Sequence, residues 1–229
     1  MKNIFNIYLL LILCINYADV NAHNKITNTQ QKIIIINGSS SAGKTSIVKE
    51  LQRISESPLL ATGIDQLWDI IPPCYVDTGA RACEGLCFAY GYDEHNQPII
   101  SITVGSFVKS LYSHLIKSIA SFGYDVVIDT VLIDQDMLYQ HVNDLSDYTV
   151  YFIGVMCDLP ELEKREKERG DREIGLARWQ ITRAHAYCNY YDYTVDTTHT
   201  STQECAQHIM MYISNNPAPT GFQRLKRMP

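Results

Sequence analysis

The chain has no excess of positive charge, and its N-terminal apolar run is too short to cross a membrane. The formal net charge is −6, so the chain lacks the basic surface with which proteins bind nucleic acid. The apolar run from Ile4 to Ile15 falls short of the roughly 20 residues that a transmembrane helix needs. We therefore expect no nucleic-acid partner and no stable membrane insertion. A length of 229 residues suits one α/β domain with a sizeable core.

The first residues have the pattern of a secretory signal peptide. Lys2 supplies a charged start, the apolar run follows, and Val20-Asn21-Ala22 forms a small-residue cleavage site. We expect residues 1–22 to be removed and the mature protein to be exported, to the periplasm or outside the cell. If the leader is not a working signal, the protein is cytoplasmic.

The sequence also lacks a zinc-binding pattern. Cys83-x-x-x-Cys87 is not a zinc spacing by itself, and no pair of histidines lies nearby to complete a site. Of the seven cysteines, Cys14 lies in the leader. The remaining six are an even number, which suits disulfides in an oxidising compartment. These six are Cys74, Cys83, Cys87, Cys157, Cys188 and Cys205.

What the sequence does contain is a complete Walker A motif, GxxxxGK[ST], at Gly38–Thr45. The β-branched run Lys32–Asn37 precedes it and predicts a buried parallel strand. Apolar residues at helical spacing follow it in Ser46–Gln52 and predict a helix. Strand, glycine loop and helix in this order are typical of a nucleotide phosphate-binding loop.

The motif predicts which residues of the loop bind the phosphates and which bind the metal ion. Glycines at 38 and 43 let the backbone wrap, so that successive N–H groups and the helix N-terminus face phosphate oxygens. Lys44 reaches the β- and γ-phosphates, and the Thr45 hydroxyl binds Mg²⁺. The predicted cofactors are ATP and Mg²⁺. The expected nucleotide-binding residues are Gly38, Ser39, Ser40, Ser41, Ala42, Gly43, Lys44, Thr45 and Ser46.

Two aspartates follow predicted strands. Asp65 comes just after the short strand Pro58–Gly63. An acid at the carboxyl end of a strand in an open α/β sheet points into the ligand crevice. Asp65 could equally cap a helix. Asp129 ends the apolar strand 125–131 in the Walker B form, whose carboxylate holds the Mg²⁺ shell. A strand-end cap is the alternative for Asp129.

Arg169 and Arg172 flank Gly170 between the fourth and fifth predicted strands. Phosphate-loop kinases have a mobile lid at this place, and an arginine binds phosphate oxygens with two parallel hydrogen bonds. The alternative is a solvated helix with i,i+4 pairs such as Glu163 and Lys167.

The whole pattern predicts a three-layer α/β fold of the P-loop nucleotide-kinase type, with a five-stranded parallel sheet covered by helices on both faces. The fourth and fifth strands are expected at 148–155 and 190–195, and a small hairpin insertion at 86–102. The predicted kinase domain spans residues 32–214, and a polar, frayed tail follows at 215–229.

These segments together resemble the chloramphenicol phosphotransferase-like family of P-loop kinases. Beyond the phosphate loop, the similar segments run in the family's order over about residues 32–212. The most specific of them are Arg169-Gly170-Asp171-Arg172 and the segment from Tyr191 to His199. The resemblance implies that Asp65 is the base that takes the acceptor proton and that Arg169 and Arg172 stabilise the transferring phosphoryl group. It also implies that Cys157 and Cys205 are buried, which leaves the other four cysteines as disulfide candidates.

The resemblance implies an ATP-dependent kinase that phosphorylates a hydroxyl of a small molecule. Thr130 stands where the family suggests a second acid, and the acceptor-facing stretch 74–102 has no convincing match, so chloramphenicol does not carry over as the acceptor. Two alternatives stay open: a toxin-type kinase acting on a nucleotide sugar or a macromolecule, and a non-catalytic nucleotide-binding module. The sequence has no NKxD guanine signature, which disfavours a GTPase.

Overall fold

A computed structural model describes residues 31–170 and 174–227. The predicted signal peptide and Arg172 lie outside the described residues. Within the described part of the chain, no helix combines the length and the apolar character that spanning a bilayer requires.

The centre of the fold is a five-stranded sheet in which every neighbouring pair is parallel. Its strands are β1 (Lys32–Asn37), β2 (Leu59–Gly63), β6 (Asp125–Thr130), β7 (Thr149–Met156) and β8 (Tyr193–Asp196). They lie in the order β2-β6-β1-β7-β8. The four isoleucines of β1 are all buried, which suits a central strand covered on both faces. The predicted sheet is confirmed. Its last strand begins three residues later than expected, because Cys188–Tyr190 form a 3₁₀ turn.

Helices cover both faces of this sheet. The helices are α1 (Lys44–Ile54), α2 (Ser106–Ala120), α3 (Gln135–Asp144), α4 (Leu159–Arg169), α5 (Leu176–Ala184), α6 (Thr202–Asn215) and α7 (Gly221–Leu225). Ile33 and Ile35 pack into one core together with α2, α3 and α7. Ile34 and Ile36 point to the other face and pack into a second core with α1, α4, α5 and α6. This alternation along one strand gives the three-layer arrangement that the sequence predicts.

The predicted hairpin is the main part of a small second sheet. Strands β4 (Leu86–Tyr92) and β5 (Pro98–Val104) pair antiparallel, and the two-residue strand β3 (Val76–Asp77) adds to β4. The Asp93 carboxylate shapes the hairpin turn, because it accepts hydrogen bonds from the backbone N–H groups of His95 and Gln97.

The expectation of a frayed tail is wrong for residues 221–225. These residues form α7, whose Phe222 and Leu225 side chains are buried in the first core. The Asp192 carboxylate fixes the start of this helix by accepting hydrogen bonds from the N–H groups of Thr220 and Gly221. The tail is polar in composition, yet two apolar residues three apart are enough to dock it against β7 once a distant carboxylate holds its backbone.

His141 on α3 makes the fold sensitive to pH. Its ring is fully buried against Tyr112, and neither ring nitrogen has a hydrogen-bond partner among the described residues. Burial lowers the pKa of His141 to about 4, although the carboxylates of Asp144 and Asp134 oppose this shift. Since the unfolded chain binds this proton more readily, stability falls as the pH drops from about 6.5 towards 4.

Lowering the pH from about 7.5 to about 5 should cost about 2 kcal/mol of unfolding free energy through His141 alone. Other groups titrate as well, so the measurable quantity is the difference between the wild type and His141→Leu in urea unfolding at the two pH values. The variant should lose less stability on acidification, whereas the exposed-site control His208→Leu should behave as the wild type does. An identical loss in all three proteins would contradict this account.

Candidate functional site

The phosphate loop follows β1 and leads directly into α1. Gly38 lies so close to β7 that a Cβ atom there would be 2.6 Å from the carbonyl oxygen of Val155. Gly43 has a φ of 83° and Ser41 a φ of 61°, both in the left-handed region. These two reversals turn the loop back on itself, and α1 begins at Lys44. The loop therefore joins a tight backbone turn to a helix N-terminus, which is a favourable place for an anion.

Lys44, Thr45 and Asp129 meet at the carboxyl end of the sheet. The buried Lys44 ammonium donates a hydrogen bond to the Ser39 carbonyl oxygen at 2.9 Å and lies 4.0 Å from Oδ1 of Asp129. The Thr45 hydroxyl donates to Oδ2 of Asp129 at 2.6 Å. Ile36 pairs with Asp129 in the sheet, so the register of β1 and β6 places this carboxylate beside the loop.

Asp65 lies on the next strand end. It belongs to the first turn of the 3₁₀ segment Ile64–Asp69, whose N-cap is Gly63, so it is not a helix N-cap. Gly63 pairs with Asp129 in the β2–β6 register. The Asp65 side chain is exposed, and Asp65 lies only two residues after Gly63 in the chain. The structure thus places Asp65 at the carboxyl end of β2, and the interpretation as an acid that faces the ligand crevice stays a prediction.

The buried side chain of Tyr112 interacts electrostatically with both Asp65 and Asp129. Burial is the main reason why the pKa of Tyr112 is raised, and the negative charges of Asp129 and Asp65 raise it further. The hydroxyl itself donates to the backbone carbonyl oxygen of Asp129 at 3.4 Å. Both carboxylates therefore act on one buried phenol, which stays neutral and cannot serve as a base at physiological pH.

The predicted lid can be described only in part. Arg169 is the last residue of α4, it is exposed, and Gly170 ends the helix with a φ of 65°. Arg172 lies among the residues that the structure leaves undescribed. Glu166, one turn earlier, is fully buried and accepts hydrogen bonds from the N–H groups of Gly175 and Ala177. This carboxylate ties the start of α5 to α4, on the far side of the lid segment.

Sequence reasoning missed α5 and with it Gln180. Its side-chain oxygen accepts a hydrogen bond of 2.6 Å from the backbone N–H of Ser40, inside the phosphate loop, and the residue is buried. No motif in the sequence marks a lone glutamine, since only the packing of α5 against the loop gives it a partner. The missed residue therefore supports the backbone of the phosphate loop at Ser40.

A second support comes from Thr197, which lies within the segment from Tyr191 to His199. Its hydroxyl donates to the carbonyl oxygen of Ala42 at 2.9 Å, and its backbone N–H bonds to the Met156 carbonyl. Arg165 of α4 donates in turn to the Thr197 carbonyl oxygen at 2.7 Å. The segment from Tyr191 to His199 therefore has a structural role, because its Thr197 holds the phosphate loop in place.

A third support acts at Asn37, the last residue of β1, just before the loop. The Asn37 amide donates to the Tyr191 hydroxyl at 2.8 Å and to the Ala184 carbonyl oxygen at 2.7 Å, and its oxygen accepts from the N–H of Leu132. His185 contacts the same Tyr191 hydroxyl at 2.8 Å. Burial, and then the charge of Lys44, lower the pKa of His185, so both disfavour a proton on this ring.

Two hard oxygen donors are available for a cation, the Thr45 hydroxyl and the Asp129 carboxylate. Hydroxyl and carboxylate oxygens suit Mg²⁺, which usually keeps several waters and completes its shell with substrate phosphates. The described residues contain no group of three or more His, Cys, Asp and Glu side chains placed to hold a metal. The residues present therefore fit a metal that binds together with a phosphate ligand.

Comparison with solved structures defines the fold class. An APS kinase from Mycobacterium tuberculosis, solved with AMPPNP and APS, has a TM-score of 0.53 at 15% identity and covers 81% of this chain and 98% of its own. A gluconokinase from Sinorhizobium meliloti 1021 has a TM-score of 0.55 at 12% identity and covers 82% of this chain and 94% of its own. The protein therefore has the fold of the P-loop kinases, as the sequence predicts.

Comparison with sequences identifies the family. A curated protein of Mycobacterium tuberculosis, named "Putative O-phosphotransferase", is 30% identical over 207 residues, which are 86% of this chain and 88% of that protein. The family model described as chloramphenicol phosphotransferase-like protein matches residues 31–214. The chain belongs to the chloramphenicol phosphotransferase-like family, which confirms the resemblance seen in its motifs.

Removing the Thr197 hydroxyl should loosen the phosphate loop. In Thr197→Val the shape is kept, but the Ala42 carbonyl loses its donor, and a buried hydrogen bond lost in this way costs about 1–3 kcal/mol. Thr194→Val is the matched control, since Thr194 is exposed on β8, the strand that ends just before Thr197, and should change stability by about 0.5 kcal/mol or less. Chemical denaturation measures both values, and equal values for the two variants would contradict a supporting role for Thr197.

Proposed function

We propose that the protein is an ATP-dependent O-kinase that transfers the γ-phosphate to a hydroxyl of a small-molecule acceptor. The observation that carries this proposal is the meeting of the Lys44 ammonium, the Thr45 hydroxyl and the Asp129 carboxylate beside the phosphate loop. A second carboxylate, Asp65, is exposed at the neighbouring strand end. Membership of a phosphotransferase family supports the same reading.

In this proposal the donor side binds the triphosphate. Backbone N–H groups of residues 38–46 and the N-terminus of α1 face the phosphate oxygens, and Lys44 neutralises charge on the β- and γ-phosphates. Mg²⁺, when bound at Thr45 and Asp129, would draw negative charge away from the phosphates. Phosphoryl transfer depends mainly on such positioning and charge stabilisation, and these residues supply both.

The acceptor side supplies the nucleophile and its base. The acceptor hydroxyl oxygen forms a bond to the γ-phosphorus, the bond from this phosphorus to the bridging oxygen breaks, and ADP leaves with that electron pair. Asp65 accepts the hydroxyl proton. Thr130, which stands where a second acid was expected, is fully buried and has no carboxylate to share this role. Arg169 and Arg172 are proposed to stabilise charge on the transferring group from the lid.

A screen of metabolites with the protein, ATP and Mg²⁺ tests the activity, read as a gain in mass of one phosphate on the acceptor. Lys44→Ala should reduce transfer by about 10²–10³-fold or more, because it removes the charge on the transferring phosphates. Lys49→Ala is the matched control, since Lys49 is exposed on the same helix. If ATP binds tightly but its γ-phosphate never leaves, the protein is a nucleotide-binding module and the proposal fails. A phosphorylated protein in a treated lysate would instead show a macromolecular acceptor.

The Asp65→Asn variant tests the base. Turnover should fall by about 10²–10⁴-fold, the range that a positioned general base contributes, while ATP affinity stays near that of the wild type. Asp69→Asn is the control, because Asp69 is exposed on the same 3₁₀ segment. Steady-state kinetics and calorimetric titration of ATP separate the two effects. Full turnover in Asp65→Asn would remove this residue from the mechanism.

A further inference from the structure

The thiols of Cys83 and Cys87 lie next to each other at the base of the hairpin. Their sulfur atoms are 3.2 Å apart. Cys83 is exposed and Cys87 is half-buried. In the part of the chain that the structure describes, no other two cysteine sulfurs are within hydrogen-bonding contact of each other, and Cys157 and Cys205 are buried. The two sulfurs are thus a pair, and reagents can reach them.

The backbone around the pair is held from both sides. Cys83 lies in the 3₁₀ turn Ala82–Glu84, which the ion pair between Arg81 and Glu84 closes. Cys87 lies in β4, between Asp77 of β3 and Thr103 of β5. The two cysteines are therefore fixed by separate elements that meet at Gly85.

Gly85 forms the bend between them. Its carbonyl oxygen accepts a hydrogen bond of 2.6 Å from the N–H of Gly105, and a Cβ atom at Gly85 would collide with the carbonyl oxygen of Tyr75. A disulfide has an S–S length of about 2.05 Å, so bond formation requires the sulfurs to approach by only about 1 Å.

The two thiols differ in their surroundings. They share one hydrogen bond, in which either sulfur can be the donor. This bond is the main cause that raises the pKa of the Cys87 thiol, and burial adds to it. The more exposed Cys83 is the sulfur that an external disulfide meets first.

We propose that Cys83 and Cys87 form a redox-active dithiol that a small-molecule disulfide, such as oxidised glutathione, converts to an intrachain disulfide. The Cys83 thiolate attacks one sulfur of the oxidant, the S–S bond of the oxidant breaks, and one glutathione thiolate leaves. Cys87 then loses its proton and attacks the Cys83 sulfur of the mixed disulfide, which releases the second glutathione. The protein gives up two electrons, and one oxidised glutathione becomes two reduced molecules.

The pair is connected through β4 to the 3₁₀ segment that carries Asp65. The residue after Cys87, Phe88, packs its ring 5.4 Å from the ring of Trp68, on the 3₁₀ segment that carries Asp65. The neighbouring strand β5 contacts α5 through a hydrogen bond from the N–H of Ile100 to the Gly175 carbonyl oxygen. The redox proposal itself does not depend on the proposed kinase activity.

The experiment maps the disulfide by mass spectrometry. The purified protein is equilibrated with glutathione buffers of increasing oxidised fraction, quenched with acid, alkylated with iodoacetamide and digested with trypsin. Cleavage after Arg81 and Lys109 places both cysteines on one peptide, since no Lys or Arg lies between them. The expected product is this peptide without alkyl groups and lighter by two hydrogens, increasing with the oxidised fraction.

Variants separate the pair from other thiols. Cys74→Ser and Cys188→Ser should leave the internal disulfide unchanged, whereas Cys87→Ser should trap the mixed disulfide between Cys83 and glutathione. A doubly alkylated peptide at the most oxidising buffer would overturn the proposal, and so would a crosslink of this peptide to Cys74 or Cys188. The wild-type measurement decides the matter even if a variant fails to fold.

Discussion

The hydrogen bond between the Thr45 hydroxyl and the Asp129 carboxylate depends on the pairing of two central strands, and the rest of the site depends on that pairing. β1 and β6 are parallel, with Ile36 opposite Asp129. A slip by one residue would turn the Asp129 side chain to the other face of the sheet, away from the Thr45 hydroxyl. It would also exchange Val127 and Ile128 between the two cores, and both cores would then have to repack. Packing in the two cores therefore determines where the Asp129 carboxylate lies relative to the Thr45 hydroxyl.

The phosphate loop is supported from outside its own motif. Thr197 and Gln180 bond to the backbone of the loop, and Asn37 anchors the strand end before it to Ala184. Each support pairs a buried polar group, and such groups are costly to bury unpaired. These contacts help the loop to keep its left-handed residues, whose conformation persists only when the surrounding structure holds it.

The sequence predicted the central sheet and the phosphate loop because both depend on local patterns. A run of β-branched residues indicates a buried strand, and the spacing of glycines, lysine and threonine indicates the loop. Helix α5 was missed because it is short and mixes polar with apolar residues, so its periodicity is weak. Gln180 and the α7 residues Phe222 and Leu225 gain their partners only in the tertiary structure. The acceptor side was the least predictable, since no single residue type marks an unknown ligand.

Helix α5 contacts both the phosphate loop and the hairpin. One part of it reaches the phosphate loop through Gln180, and its N-terminal part contacts the hairpin through Gly175 and through Arg178, which lies 3.5 Å from the Asp93 carboxylate. A hairpin movement that carries α5 along would withdraw the glutamine oxygen from the Ser40 amide. Ligands on the two sides would then influence each other's affinity, and thermodynamic linkage requires this influence to be equal in both directions. In that case α5 would be a physical route by which ligands at the phosphate loop and at the hairpin affect each other's binding.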